Sequence, residues 1–557
     1  MQTSPPNSLR IALAQLDPTV GDLAGNAAKV RAARATAAAG GADLVLFSEL
    51  FITGYSPEDL ALKPAFQRAA RETVEALASE TADGGPGVLL GTIWVDDGKL
   101  HNSLALLDAG RIVGLRHKVD LPNYGVFDEK RVFVPGPMPG PIDFRGVRLG
   151  VPICEDIWQD ELVECIAETG GQILLVPNGS PFALGKQEVR SNIAVARVTE
   201  SGLPLVYLNQ VGGQDELVFD GASFVLNADC SLAVQMPAWD EAVVVTHWTR
   251  TPSGWRCETG ERAIVEEGDA SAYRACVLGL RDYVAKNGFP GVVLGLSGGI
   301  DSALVAAICV DALGADKVHC LMLPYRYTSD DSLSDAAQCA KLLGVRYDVV
   351  PISAPVEGFA ASLAPLFKGT NSGVAEENLQ SRVRGTLLMA VSNKFGPMLV
   401  TTGNKSEVSC GYATLYGDMN GGFNPIKDLY KMQVFALSRW RNANRPNGAL
   451  GPSGPVMPET IITKPPTAEL RPNQRDQDTL PPYEILDAIL ERIVEKEQSV
   501  PEIVAAGFDG DTVRRVERML YLAEYKRRQA APGVKISERN FGRDRRYPIT
   551  NRFRETS

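Results

Sequence analysis

The first half of the chain alternates short apolar runs with longer stretches in which apolar residues recur at helical spacing. Residues 11–15 (Ile-Ala-Leu-Ala-Gln), the alanine-rich residues 26–39 and the apolar run 42–47 predict a strand, a helix and a second strand. Further strand-like runs lie at 88–93, 148–153, 172–176 and 205–208. This alternation predicts a layered α/β domain. The polar residue that ends an apolar run then stands at a strand end, where α/β sites are built. Glu49, Cys154 and Asn178 hold that position.

Residues 249–268 are polar and include Pro252, Ser253 and Gly254, which predicts a linker, placed at 251–269. A new helical pattern starts near Ala270. It leads into a strand over 291–296, the turn Ser297-Gly-Gly-Ile-Asp-Ser302, an apolar helix over 303–313 and another strand over 317–323. Strand, glycine turn, helix and strand make a parallel βαβ unit. Nine prolines between Asn442 and Pro482 predict mostly irregular chain there. No internal repeat is visible. The expected organisation is an α/β domain over 1–250, the linker, and a second domain over 270–557.

Composition supports two domains and narrows the function classes. A chain of 557 residues exceeds the roughly 250–300 that one hydrophobic core supports. Hydrophobic residues at 45% and charged residues at 22% exclude a disordered or membrane-type chain. The net charge of −11 gives no overall pull toward nucleic acid or an anionic membrane, although basic runs stand at 526–528 and 543–546. Residues 1–10 lack the pattern of a secretory signal, and no apolar run approaches the ~20 residues a bilayer requires. A cytoplasmic protein without nucleic-acid or membrane partners is expected. Nine cysteines without CxxC spacing argue against a disulfide framework or structural zinc, and only four histidines are present to serve as bases.

In the turn of the second half, glycines let backbone N–H groups approach phosphate oxygens, and the helix N-terminus adds partial positive charge. The turn lacks the GxxxxGK[ST] pattern of ordinary nucleotide loops. Its aspartate, Asp301, is placed to hold a magnesium ion on those phosphates. The blocks Gly295-Leu-Ser-Gly-Gly-Ile-Asp-Ser302, Glu377-Asn-Leu-Gln-Ser-Arg382, Thr401-Thr-Gly-Asn-Lys-Ser-Glu407, Lys464-Pro-Pro-Thr-Ala-Glu469 and Glu524-Tyr-Lys-Arg-Arg528 resemble the ATP pyrophosphatases and, among them, the NAD synthetases. The resemblance implies a doubly wound parallel sheet. It implies ATP contacts at Gly295, Leu296, Ser297, Gly298, Gly299, Ile300, Asp301, Ser302 and Thr402, with Lys431 and Thr467 beside the phosphates. It further implies Asp301 and Glu407 as the Mg2+ pair, and Asn378, Glu407, Asp418 and Lys526 at deamido-NAD+. The implied reaction activates the nicotinic carboxylate as an acyl-adenylate, releases pyrophosphate, and lets ammonia displace AMP.

In the first half no histidine stands near Cys154. The blocks Phe47-Ser-Glu-Leu50, Lys118-Val-Asp-Leu-Pro-Asn-Tyr-Gly125 and Val151-Pro-Ile-Cys-Glu-Asp156 resemble the nitrilase (carbon-nitrogen hydrolase) superfamily. That resemblance implies an α-β-β-α sandwich with Glu49 as general base, Lys118 as oxyanion and thiolate partner, and Cys154 as nucleophile. Tyr124, Ser180 and Lys186 match glutamine-contacting positions of glutamine-dependent NAD synthetases, with Gly179 where that pattern more often has alanine. The combined expectation is a homo-oligomeric ligase that cuts ammonia from glutamine and passes it through its interior to a second, ATP-consuming site. A GMP- or asparagine-forming amidotransferase is disfavoured by the type of glutamine domain, and a non-catalytic nucleotide sensor by the intact catalytic residues.

Overall fold

The computed structural model describes residues 6–555; of the N-terminal stretch read for targeting, 1–5 lie outside the described residues. The chain divides into two compact units, Met1–Glu266 and Glu267–Ser557.

The first unit is built on two sheets. One runs in the order Gly254–Cys257, Ala242–Thr251, Ser8–Gln15, Leu44–Phe47, Gly87–Asp96, Lys99–Asp108, Arg111–His117. The other runs Leu232–Gln235, Phe224–Leu226, Leu205–Asn209, Ile173–Asn178, Val147–Gly150, Ile142–Phe144. Alternation along a strand sends successive side chains to opposite faces. Ile11 and Leu13 therefore join Leu149, Leu175 and Val206 between the sheets. Ala12 and Ala14 instead meet Val30 and Ala37 of helix Leu23–Ala39. On the far side Leu174 and Val176 meet Leu162, Ile166, Ala194 and Val198 of helices Glu161–Glu168 and Lys186–Ser201. This is the α-β-β-α sandwich.

The stretch 251–269 is not all linker. Gly254–Cys257 pairs antiparallel with Ala242–Thr251 as an edge strand, anchored by buried Trp255 and Cys257, and helix Gly268–Lys286 has already begun at Gly268. Polar composition masked a strand that buries only alternate residues.

The second unit holds a four-stranded parallel sheet in the order Arg346–Val349, Val318–Met322, Val292–Gly295, Met398–Leu399. Helix Ile300–Leu313 is buried along nearly its whole length. Val293, Leu321 and Leu323 pack on the other face against Val356 and Val383 of helices Ser353–Leu363 and Val374–Phe395. Helices thus cover both faces, as a doubly wound sheet requires. Strand order reverses between Val292–Gly295 and Met398–Leu399, so the chain leaves these neighbours in opposite directions and opens a crevice at their carboxyl ends. A helical cluster around Leu486, Ile489, Val513 and Leu520 completes the unit. The proline-rich stretch keeps one short helix, Glu459–Thr463, and the single turn Asp476–Asp478.

Candidate active sites in the two units

In the first unit, strand Leu44–Phe47 delivers Glu49 and strand Arg111–His117 delivers Lys118, both completely buried. Lys118 Nζ lies 2.7 Å from Glu49 Oε1 and 3.0 Å from Glu129 Oε1. Asn102 donates to Glu49 Oε1 at 2.7 Å, Tyr55 Oη donates to Glu129 at 2.9 Å, and the Gly179 N–H donates to Glu49 Oε2 at 2.9 Å. Burial alone would push the Lys118 ammonium down, but Glu129 and Glu49 outweigh it and hold the amine well above its ordinary range. Burial pushes the Glu129 carboxyl up to about 7, against the opposing pull of Lys118.

Cys154 opens the single turn Cys154–Ile157 with a φ of 49°, a left-handed conformation uncommon for a residue bearing a Cβ. Burial and Glu49 push its thiol up, and Lys118 opposes them. The Cys154 side chain thus rests as a thiol, and a base would be needed to ionise it. Asp156 joins the segments that carry Cys154 and Lys118. One of its carboxylate oxygens accepts the Ile153 N–H at 2.9 Å; the other accepts Val119 and Asp120 N–H at 3.0 and 2.8 Å.

Tyr124 is 51% exposed and donates at 2.8 Å to Glu155, the residue after Cys154. Buried Ser180 accepts from Arg190 Nε at 3.1 Å, and Arg190 is itself paired with Asp220. Lys186 begins its helix with Nζ 4.3 Å from the centre of the Trp158 ring. Glu129, Asn102, Tyr55 and Asp156 escaped sequence reading. Glu129 stands between Asp128 and Lys130 and looked like one charge among several.

In the second unit, the turn after Val292–Gly295 carries Gly298 at a φ of 78°, where a Cβ would lie 2.4 Å from the Ser332 carbonyl oxygen. Ser297 Oγ is 3.0 Å from Ser302 Oγ and accepts the Gly299 N–H at 3.2 Å, which tightens the loop before its helix. Lys431, buried at the start of helix Lys431–Ala443, ion-pairs with Asp301 and lies 3.3 Å from Glu407. Burial opposes the Lys431 charge, yet the two carboxylates outweigh it and hold its affinity for a proton above the ordinary value; burial pushes Glu407 up to about 8.

Thr402 and Asn404 follow the neighbouring strand, so the turn, Glu407 and Lys431 meet at the crevice. Thr467 is exposed and donates to the Gln474 carbonyl at 2.7 Å. Its loop is tied toward the turn by Glu469, which accepts from Ser332 at 2.9 Å. Asn378, Asp418 and Lys526 form a second group. Thr414 Oγ1 donates to Asn378 at 3.0 Å, the Thr414 N–H to Asp418 at 2.7 Å, and Lys526 to the Gly411 and Ala413 carbonyls at 2.7 Å.

The basic run 526–528 is partly internal: Arg527 is buried against Glu524 at 2.7 Å, and Arg545 of the later run is buried as well. All nine cysteines are free, six of them buried. Among the described residues no helix is long and apolar enough to cross a membrane, and no group of three or more His, Cys, Asp or Glu converges as a metal site. The Asp301 and Glu407 carboxylates, which both face Lys431 Nζ beside the turn, are of the kind that suits Mg2+, which takes few protein oxygens and completes its shell with other oxygens and water.

The fold and these two sites define a carbon-nitrogen hydrolase unit joined to a nucleotide-dependent synthase unit. Residues 10–251 match the carbon-nitrogen hydrolase family and residues 272–530 the NAD synthase family. The glutamine-dependent NAD(+) synthetase of Rhodobacter capsulatus is 54% identical over 549 residues, with 98% of this chain and 99% of that protein covered. The protein of that name from Xanthomonas campestris pv. campestris is 46% identical, with 98% of each covered. The solved glutamine-dependent NAD+ synthetase of Acinetobacter baumannii, in complex with adenosine diphosphate, is 41% identical with a TM-score of 0.78, over 98% of this chain and 99% of that one. The chain belongs to the glutamine-dependent NAD(+) synthetase family.

Proposed function

We propose that this chain hydrolyses glutamine in its first unit and uses the ammonia in its second to amidate deamido-NAD+, converting ATP to AMP and pyrophosphate. The observation that carries the reading is that each unit assembles its own charged site while the chain matches its relatives end to end.

Glu49 takes the Cys154 thiol proton as sulfur attacks the glutamine amide carbon, and Lys118 stabilises the negative oxygen that forms. The proton on Glu49 passes to the departing nitrogen, ammonia leaves, and water activated by the same carboxylate releases glutamate from the thioester. Glu129 and Asn102 hold Glu49 and Lys118 in place. Tyr124, Ser180 and Lys186 bind glutamine.

In the second unit the N–H groups of residues 297–302 and Lys431 receive the ATP phosphates, with Thr402 and Thr467 beside them. A carboxylate oxygen of deamido-NAD+, held at Asn378, Asp418 and Lys526, attacks the α-phosphorus; pyrophosphate departs, and ammonia then displaces AMP. Asp301 and Glu407 would hold Mg2+, which supplies charge neutralisation for the leaving group when bound. The protein acts in the cytoplasm as a homo-oligomer.

Incubation with ATP, glutamine and either deamido-NAD+, XMP or aspartate tests the assignment. AMP and pyrophosphate are expected with deamido-NAD+ alone; release with either other acceptor instead overturns it.

A further inference from the structure

Asp301 and Glu407 sit on different helices, and something must set the distance between them. Asn404 is fully buried and touches both. Its Nδ2 donates to Asp301 Oδ1 at 2.7 Å. Its Oδ1 accepts the Glu407 N–H at 3.0 Å, which caps helix Lys405–Cys410, and its own N–H donates to Glu407 Oε2 at 3.4 Å. The remaining oxygens, Asp301 Oδ2 and Glu407 Oε1, both face Lys431 Nζ. Asn404 and Lys431 therefore close a ring around the two carboxylates, each holding one oxygen of each.

The two holders differ. Lys431 is a point charge on a long stem that an incoming phosphate can draw away. Asn404 is short, buried and held by its helix cap, so its grip on Asp301 persists. Its amide is also the one group here that must donate to one partner and accept from the other, which a carboxylate cannot do.

The geometry points to Asn404 as a positioning residue of the synthetase site, aligning Asp301 Oδ2 and Glu407 Oε1 toward one shared cation. This rests on the reading that those two carboxylates hold magnesium.

Asn404→Asp separates the two roles of the amide. Aspartate caps a helix as well as asparagine does, but it has no donor for Asp301 and sets a like charge against it. Asn404→Ala removes both roles, and Asp301→Asn tests the underlying reading. ATP binding to the full chain is measured by calorimetry over a Mg2+ titration, beside thermal unfolding. For Asn404→Asp the Mg2+ concentration that supports tight ATP binding is expected to rise about tenfold or more, the scale of one charge-assisted hydrogen bond, with the unfolding midpoint kept. Asn404→Ala is expected to lose both. Wild-type Mg2+ dependence in Asn404→Asp while Asp301→Asn loses it overturns the positioning role alone. Wild-type dependence in Asp301→Asn overturns the magnesium pair and the inference with it. A midpoint in Asn404→Asp as low as in Asn404→Ala reduces Asn404 to a cap and also overturns the inference.

Discussion

Single side chains account for much of what these sites can do. Glu129 is tied to Lys118 at 3.0 Å and to Tyr55 at 2.9 Å. Replacing it with glutamine leaves the shape but removes one of the two carboxylates that keep Lys118 charged. Glu129→Gln is expected to lower glutamine hydrolysis roughly a hundredfold, in the range for a displaced acid-base group. A variant that retains full glutaminase turnover would remove Glu129 from the machinery. Gly298 is the matching case in the second unit. Its φ of 78° and the Ser332 carbonyl 2.4 Å from any Cβ leave no room for alanine. Gly298→Ala should cost about 1–3 kcal/mol of backbone strain and weaken ATP binding, readable as a lower unfolding midpoint with a raised Kd for ATP.

Among elements, Asp487 of helix Tyr483–Val494 ties down two others. It accepts from Ser406 Oγ on the helix of Glu407 and, at 2.8 Å, from the Met432 N–H at the start of the helix of Lys431. Burial raises its carboxyl from 3.8 to about 6. A carboxyl raised on folding binds its proton more tightly in the native state, so its contribution is fully present below the unfolded value and is lost as pH rises through about 6. Denaturant unfolding from pH 4 to 7 should show this fall in the wild type and a flatter profile in Asp487→Asn; equal slopes would refute it. Element positions were largely legible in the sequence, because strand and helix periods are local. The strands at 11–15 and 291–296 and the helix at 303–313 all have counterparts near those positions. The edge strand Gly254–Cys257 was not legible: with Trp255 and Cys257 alone turned inward, its composition reads as loop.

For the whole molecule, the two candidate sites lie in separate compact units, so the two proposed activities should separate. Cys154→Ala should abolish glutamine-supported NAD+ formation and leave ammonia-supported formation in place, measured as product formed with each nitrogen source. Loss of both would mean that the two chemistries are not separable. A coupled enzyme should also release little glutamate when deamido-NAD+ is withheld, which the ratio of AMP to glutamate reads directly.

The sequence by itself determined the two-unit α/β plan, the place of Cys154 at the end of an apolar run and the glycine turn 297–302 ahead of its helix, because apolar period and glycine sterics act between near neighbours. Tertiary structure alone decided which charges meet. Asn102 reaches Glu49 across 53 positions, and Lys431 reaches Asp301 across 130. Glu129 became visible only inside the cage it helps to form. The physical reason is that a buried charge is defined by what lies within a few ångströms in space, and no local pattern in a chain records that.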